Sequence, residues 1–306
     1  MSSQAKGTRT FVLAAFAAAL VLASVAGVAA GQTITIGDIL AANYGAGTVY
    51  HYSGQTGALL GSVATGLNGV SGVVFLDDGD LAVAESGADR ILRYDGDTGA
   101  YKGIICDSAI NNPRGIAVGL AGELWIADLI NGAAVAVNPS TGAELLRLPV
   151  SRPMGVAIGN GRVYVTKQDA TVRHFDYATG TDLGILAQGF GSSLEAIVVT
   201  PDGSVIVNCT PGLFRLDWQT GAVLASHAGF GGEGLALGDD GLLYAGYWSD
   251  SPNYLARVDP LSLDIIGPVV VNYSGTHGIA LKPVPEPATL ALLALGGLAV
   301  LWRRRQ

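Results

Sequence analysis

Glu195, Glu233 and His277 are the residues of this 306-residue chain whose types and positions best suit chemistry. Each stands immediately before a short apolar segment: Glu195 before Ala196-Ile197-Val198-Val199, Glu233 before Gly234-Leu235-Ala236-Leu237, and His277 before Gly278-Ile279-Ala280-Leu281. The same pattern places Ser71, Arg114 and Met154 before Gly72, Gly115 and Gly155. Two carboxylates and an imidazole that converge can ligate one divalent cation, Ca²⁺ or Mg²⁺. Alternatively, Glu195 or Glu233 pairs with Arg114 or accepts backbone N–H groups, and His277 faces solvent. Arg114 is itself a candidate ligand-binding cation. The stretch from Tyr247 to Tyr254 adds Tyr247, Trp248 and Asp250, aromatic planes beside a polar group that suit glycan stacking or a protein contact. The other reading of that stretch is a loop packing its own aromatics.

These residues need elements that bring six equivalent positions together, and the repeats supply them. A turn motif Asp-x-x-Thr-Gly recurs with variations at Ser53–Gly57, Asp95–Gly99, Asn138–Gly142, Asp176–Gly180 and Asp217–Gly221, with a degenerate copy at Asp259–Leu263. The closing positions lie 42, 43, 38, 41 and 42 residues apart. A period near 40 with several short strands per unit is the signature of a β-propeller. One unit reads as four strands: Arg114–Val118 (A), Glu123–Asp128 (B), Ala133–Asn138 (C) and Ala143–Leu148 (D). In the C–D turn the Asp or Asn side chain accepts backbone N–H bonds and Gly takes positive φ at the bulge. Six A strands mean six blades. The last A strand has no B, C or D strand after it, so Gly37–Ala42, Thr48–Tyr52 and Ala58–Val63 at the other end of the chain complete that blade and leave no open edge. The expected fold is all-β, a six-bladed propeller over residues 31–283.

In such a fold the A strands line the central channel, and the six residues preceding them ring one mouth. Glu195, Glu233 and His277 then come from adjacent blades four, five and six. A second ring at the ends of the B strands reads Asn43, Glu85, Asp128, Lys167, Cys209 and Tyr247, whose acids are expected to cap the B–C turns. Cys106 and Cys209 fall in opposite blades, too far apart for a bond that needs Cα atoms within about 7 Å. A nucleophile elbow, a phosphate loop, Cys-x-x-Cys and His-Glu-x-x-His are all absent from the sequence.

The two ends read differently from the middle. Lys6 and Arg9 precede an apolar run from Phe11 to Val28 that ends in Val28-Ala29-Ala30, the layout of a secretory signal peptide over residues 1–30. At the other end, Pro285-Glu286-Pro287 leads into an apolar stretch from Ala288 to Trp302 and then Arg303-Arg304-Arg305. That stretch is expected to enter the membrane as a helix, with the arginines on the cytoplasmic side. The chain holds 17 Lys and Arg against 25 Asp and Glu. Without Lys6, Arg9, Glu286 and the three terminal arginines, 12 remain against 24, a net charge of −12. So acidic a domain is a poor partner for nucleic acid or anionic lipid.

Residues 284–306 closely resemble the PEP-CTERM sorting signal, in which Pro-Glu-Pro is read by the processing enzyme exosortase. The resemblance implies export across the inner membrane, transient anchoring through the C-terminal helix, and release to the cell surface or an exopolysaccharide matrix. The repeats resemble NHL-type units, as in Gly79–Glu85 followed by Asp89–Asp95. Gly232-Glu233-Gly234 resembles the glutamate motif of gluconolactonase-type propellers, although Leu235 replaces their Pro and their other ligand motifs are missing. A His-and-Glu set is nearer to streptogramin-lyase-like propellers. The expectation is a non-catalytic exported protein that binds exopolysaccharide or a surface protein. The alternative is a secreted metal-dependent lactonase or lyase.

Overall fold

A computed structural model describes residues 33–191, 194–231, 234–247, 253–274 and 277–284. Twenty-four short strands form six separate four-stranded antiparallel sheets, five of them built from strands consecutive in sequence. The sixth joins Ile279–Leu281 to Ile39–Asn43, which pairs with Thr48–Tyr52 and then Leu59–Ala64. Both ends of the propeller domain therefore close one blade, as the repeats imply. Blade one spans residues 70–106, blade two 113–149, blade three 153–188, blade four 194–228 and blade five 235–271. The signal segment 1–30 and the sorting tail from Pro285 onward lie outside the described residues. Among the described residues no helix is long and apolar enough to cross a membrane.

Stability resides between blades rather than within them. The buried apolar residues fall into six clusters, each spanning one junction: Leu40 and Val49 of blade six pack with Val73 and Leu81 of blade one, and Trp125 and Ala134 of blade two with Val163 and Phe175 of blade three. A sheet with apolar residues on both faces must be covered on both, and the neighbouring blades do this. Burial peaks in the middle strands of a blade. Strands Leu124–Asp128 and Ala133–Val137 are buried throughout, whereas the channel-lining strand Pro113–Val118 is mostly half-buried and the outer strand Glu144–Pro149 is half exposed. Every C–D pair carries a register shift that twists this outer edge, a device that discourages edge-to-edge pairing.

The repeated turn accounts for that shift. In blade one, Asp95 Oδ1 accepts hydrogen bonds from Thr98 N (2.9 Å) and Thr98 Oγ1 (2.8 Å), while Gly99 N donates to the Asp95 carbonyl. These bonds from Thr98 hold the Asp95 carboxyl at about 2, well below its usual range. Asp176, Asp217 and Asp259 make the same kind of contact with Thr179, Thr220 and Ser262. The closing residue needs positive φ: Gly99, Gly142, Gly180 and Gly221 lie at 68–70°, and in the degenerate copy Leu263 takes 64°.

Candidate functional site

The residues before the A strands share a backbone cause for their position. The A–B ladder of blade one shifts register between Val70 and Gly72, that of blade two between Pro113 and Ile116, and those of blades three and four between Pro153 and Gly155 and between Leu194 and Ala196. Ser71, Met154 and Glu195, together with Arg114 and Gly115, are the residues these bulges leave unpaired. A bulge re-aims a side chain, and here it turns each one toward the channel mouth. Ser71, Arg114, Met154, Glu195 and His277 all line one cavity there, of about 70 Å³. Glu233 lies outside the described residues, as do Trp248 and Asp250; Tyr247 ends the strand Leu243–Tyr247.

The glycines after these positions are required by closeness. A Cβ on Gly72 would stand 2.6 Å from the Arg114 carbonyl oxygen, and one on Gly115 would stand 3.0 Å from the Met154 oxygen and 2.8 Å from the Gly155 Cα. Gly155 faces the Glu195 oxygen at 3.0 Å, Gly234 the His277 oxygen at 2.4 Å, and Gly278 the Ser71 oxygen at 3.0 Å. Around the axis each glycine thus receives the backbone of the next blade. At the closing junction Gly278 N donates to the Ser71 carbonyl at 2.9 Å. Between blades one and two, Ser71 Oγ and Ser86 Oγ lie 2.7 Å apart and both reach the Pro113 carbonyl.

A residue absent from the predicted ring covers the mouth. Tyr44, from the B–C turn of blade six, stacks on His277 with ring centroids 4.9 Å apart, and the Arg114 guanidinium carbon lies 5.4 Å from the same ring centre. Gly69, at φ 72°, makes room for it: a Cβ there would meet the Tyr44 ring at 2.8 Å. The ring therefore becomes a stack of His277, Tyr44 and Arg114 with Glu195 beside it in the cavity wall. Arg114 Nε is buried and has no hydrogen-bond partner among the described residues. The sequence signal for Tyr44 was its place next to Asn43 at the end of strand B, but its reach across the mouth depends on the fold.

In the second ring Asp128 caps its B–C turn, whereas Glu85 holds the backbone of Asn68 in the segment before strand A. Glu85 Oε1 accepts from Asn68 N at 2.8 Å, and its Oε2 pairs with Arg90 Nε at 2.6 Å. Asp128, fully buried, accepts from Asn111 N and Asn131 Nδ2. Cys106 and Cys209 are both buried free thiols, and burial pushes the Cys106 thiol up to about 12. Among the described residues no group of three or more His, Cys, Asp or Glu side chains is arranged to hold a metal ion, and Glu233 is not one of those residues.

The fold and its mouth define an all-β six-bladed propeller with a polar, aromatic-capped channel entrance. Residues 283–305 match the PEP-CTERM protein-sorting motif, which implies export of the propeller and processing by exosortase. Residues 110–243, less than half of the chain, match the family described as outer membrane protein assembly factor BamB. Solved structures with the same fold include a chain of a nidogen/laminin complex, at TM-score 0.65 and 14% identity over 81% of this chain and 99% of that one. A protein of unknown function from Bacteroides caccae aligns at TM-score 0.64 and 13% identity, over 80% and 98% of the two chains. A streptogramin B lyase aligns at TM-score 0.51 and 16% identity, over 71% and 70%. At these identities the likeness is one of fold. No curated protein matches the chain.

Proposed function

We propose that this exported propeller is a non-catalytic binding protein of the cell surface and that it holds exopolysaccharide at the Tyr44/Arg114/His277 mouth. One observation carries the reading: the buried Arg114 Nε lacks an acceptor among the described residues while its guanidinium lines the mouth. A buried charged donor left unpaired is costly, so a ligand oxygen placed there gains more than it would on open surface. Tyr44, exposed although stacked on His277, offers aromatic surface to a sugar ring, and Glu195 adds a carboxylate to the cavity wall. The cavity has room for a few water-sized groups, so the ligand rests on the stack and inserts one substituent.

The place where the chain leaves the propeller supports the same orientation. Lys282 Nζ bonds the Gly96 carbonyl and Asp97, and Val284 N donates to Asp239 Oδ2 at 2.6 Å, all on the face of the C–D turns. A tail anchored from that face leaves the mouth pointing away from the membrane. Exosortase would process the tail at Pro285-Glu286-Pro287.

Isothermal titration of the exported protein with fragments of the producing cell's exopolysaccharide tests the binding role. Binding that weakens at least tenfold in Tyr44→Ala supports it, and equal affinity for the variant refutes it. The second reading, a metal-dependent lactonase or lyase, rests on Glu195 and His277 lining the same cavity. It would have Glu195, Glu233 and His277 holding Ca²⁺ or Mg²⁺, and it predicts one equivalent of metal in the purified protein, lost in Glu233→Ala. Metal-free protein with undiminished polysaccharide binding would leave only the first reading.

A further inference from the structure

Five of the six blades carry a basic residue at one C-strand position, and blade two does not. The position lies opposite Leu40, Ala82, Trp125, Tyr164, Ile206 and Tyr244 on strand B, and it is occupied by His51, Arg93, Ala136, His174, Arg215 and Arg257. In blade one, Arg93 Nε pairs with Asp80 at 2.6 Å, and Arg93 Nη1 donates to the Pro139 carbonyl in the C–D turn of blade two at 3.1 Å. In blade four, Arg215 Nη2 pairs with Asp202 at 2.6 Å, and Nη1 donates to the Leu261 carbonyl of blade five at 3.3 Å. Blade three supplies its guanidinium from strand B: Arg162 Nη1 donates to the Trp218 carbonyl at 2.9 Å. The place between an A–B turn and the next blade's C–D turn is thus one that this fold repeatedly fills with a guanidinium.

Blade two keeps the acid and lacks the cation. Glu123 stands where Asp80 stands, 8% exposed. Its Oε1 accepts from Trp125 Nε1 and from Tyr177 Oη of blade three, both at 2.6 Å, and its Oε2 from Ala121 N at 3.1 Å. These donors are neutral, and among the described residues no Lys, Arg or His forms an ion pair with this carboxylate. Burial works to raise its pKa, but the bonds from Tyr177 and Trp125 outweigh it and hold the group below the ordinary range, so it remains an anion at neutral pH. Beside it, where an arginine stem would run, lies a cavity of about 360 Å³ walled by Glu123, Trp125, Ala136, Pro139, Leu145 and Tyr177.

We propose that this cavity is a binding site for a guanidinium or alkylammonium group, taken from a ligand in place of the arginine that blade two lacks. The aromatic walls and the buried carboxylate supply what such a cation needs, π faces and an acceptor with negative charge. The apolar rim, with Leu145 exposed, suits the methylene stem that carries it. The site is separate from the channel mouth and does not depend on the reading given to it.

The test is titration calorimetry on the exported protein with N-acetyl-arginine amide, its neutral counterpart N-acetyl-citrulline amide, and an arginine-containing tripeptide. Saturable binding of the arginine compound, at least tenfold tighter than the citrulline compound, is expected. The tripeptide binding tenfold tighter than the single residue would identify a protein side chain as the source, and equal affinity a free small cation. Ala136→Arg should fill the site as Arg93 and Arg215 fill theirs, abolishing binding without lowering the melting midpoint. Should that variant not fold, Glu123→Gln serves the same purpose and is expected to weaken binding more than tenfold. Equal binding of the citrulline compound, no saturable binding, or binding retained in either folded variant would overturn the proposal.

Discussion

The two faces of this propeller use repetition in opposite ways. On the face of the C–D turns, side chains repeat: an Asp or Asn accepts from the residue three positions on, and a left-handed residue closes the loop. At the channel mouth only the backbone repeats, as a bulge and a close-packed glycine, and the side chains it presents are Ser71, Arg114, Met154, Glu195 and His277. Repeated side chains with satisfied bonds build the scaffold. A repeated position holding different side chains presents a surface that can recognise a ligand. The one clear break on the turn face, Ala136 among basic equivalents, is likewise where a cavity opens.

Breaking the shared backbone layer should have the largest effect. Gly115→Val puts a branched side chain against the Gly155 Cα and the Met154 oxygen, backbone atoms that cannot yield, and is expected to cost about 3 kcal/mol or more. Urea unfolding of the purified variant measures this, and a loss below 1 kcal/mol would mean that the ring is looser than the distances indicate. A turn substitution should cost less. Asn138 Oδ1 accepts from Ser140 N and Thr141 N, so Asn138→Ala should lose about 1 kcal/mol while Asn138→Asp stays within half of that. Both variants should leave polysaccharide binding unchanged.

The smallest effect is a pH dependence from depressed carboxylates, many of them on the turn face. Thr98 holds Asp95 at about 2, and Asp176, Asp217 and Asp259 are lowered by their own turn hydrogen bonds. A depressed carboxylate contributes stability above its unfolded value of about 3.9, and that contribution is lost as pH falls toward the folded value. The melting midpoint should therefore fall between about pH 4 and pH 2. Replacing the four aspartates with Asn, as blade two does naturally at Asn138, should flatten that decline but not abolish it, since Asp38, Asp80 and Asp202 are lowered as well. An unchanged decline would place the acid-sensitive groups elsewhere.

Much of this was legible in the sequence because a propeller writes its plan locally. The spacing of the Asp-x-x-Thr-Gly turns and of Gly72, Gly115, Gly155, Gly234 and Gly278 counts the blades, and the position before each glycine identifies the mouth. Tyr44 escaped because it belongs to a turn of blade six and reaches His277 and Arg114 only once the ring has closed. The bulges escaped because pairing register is a property of two strands, and neither Ser71 nor Met154 signals it alone. Ala136 sits in Ala133–Val137, a strand of Ala and Val that reads as ordinary core. Its meaning appears only when it is aligned with His51, Arg93, His174, Arg215 and Arg257.

The most direct test of the division between scaffold and recognition compares two arginines on opposite faces. Arg93→Ala and Arg114→Ala should be measured together, by thermal unfolding and by titration with exopolysaccharide fragments. Arg93→Ala is expected to lower the melting midpoint and leave affinity intact. Arg114→Ala is expected to weaken binding at least tenfold with little change in midpoint. The reverse pattern, or equal effects of the two substitutions on both quantities, would contradict the account.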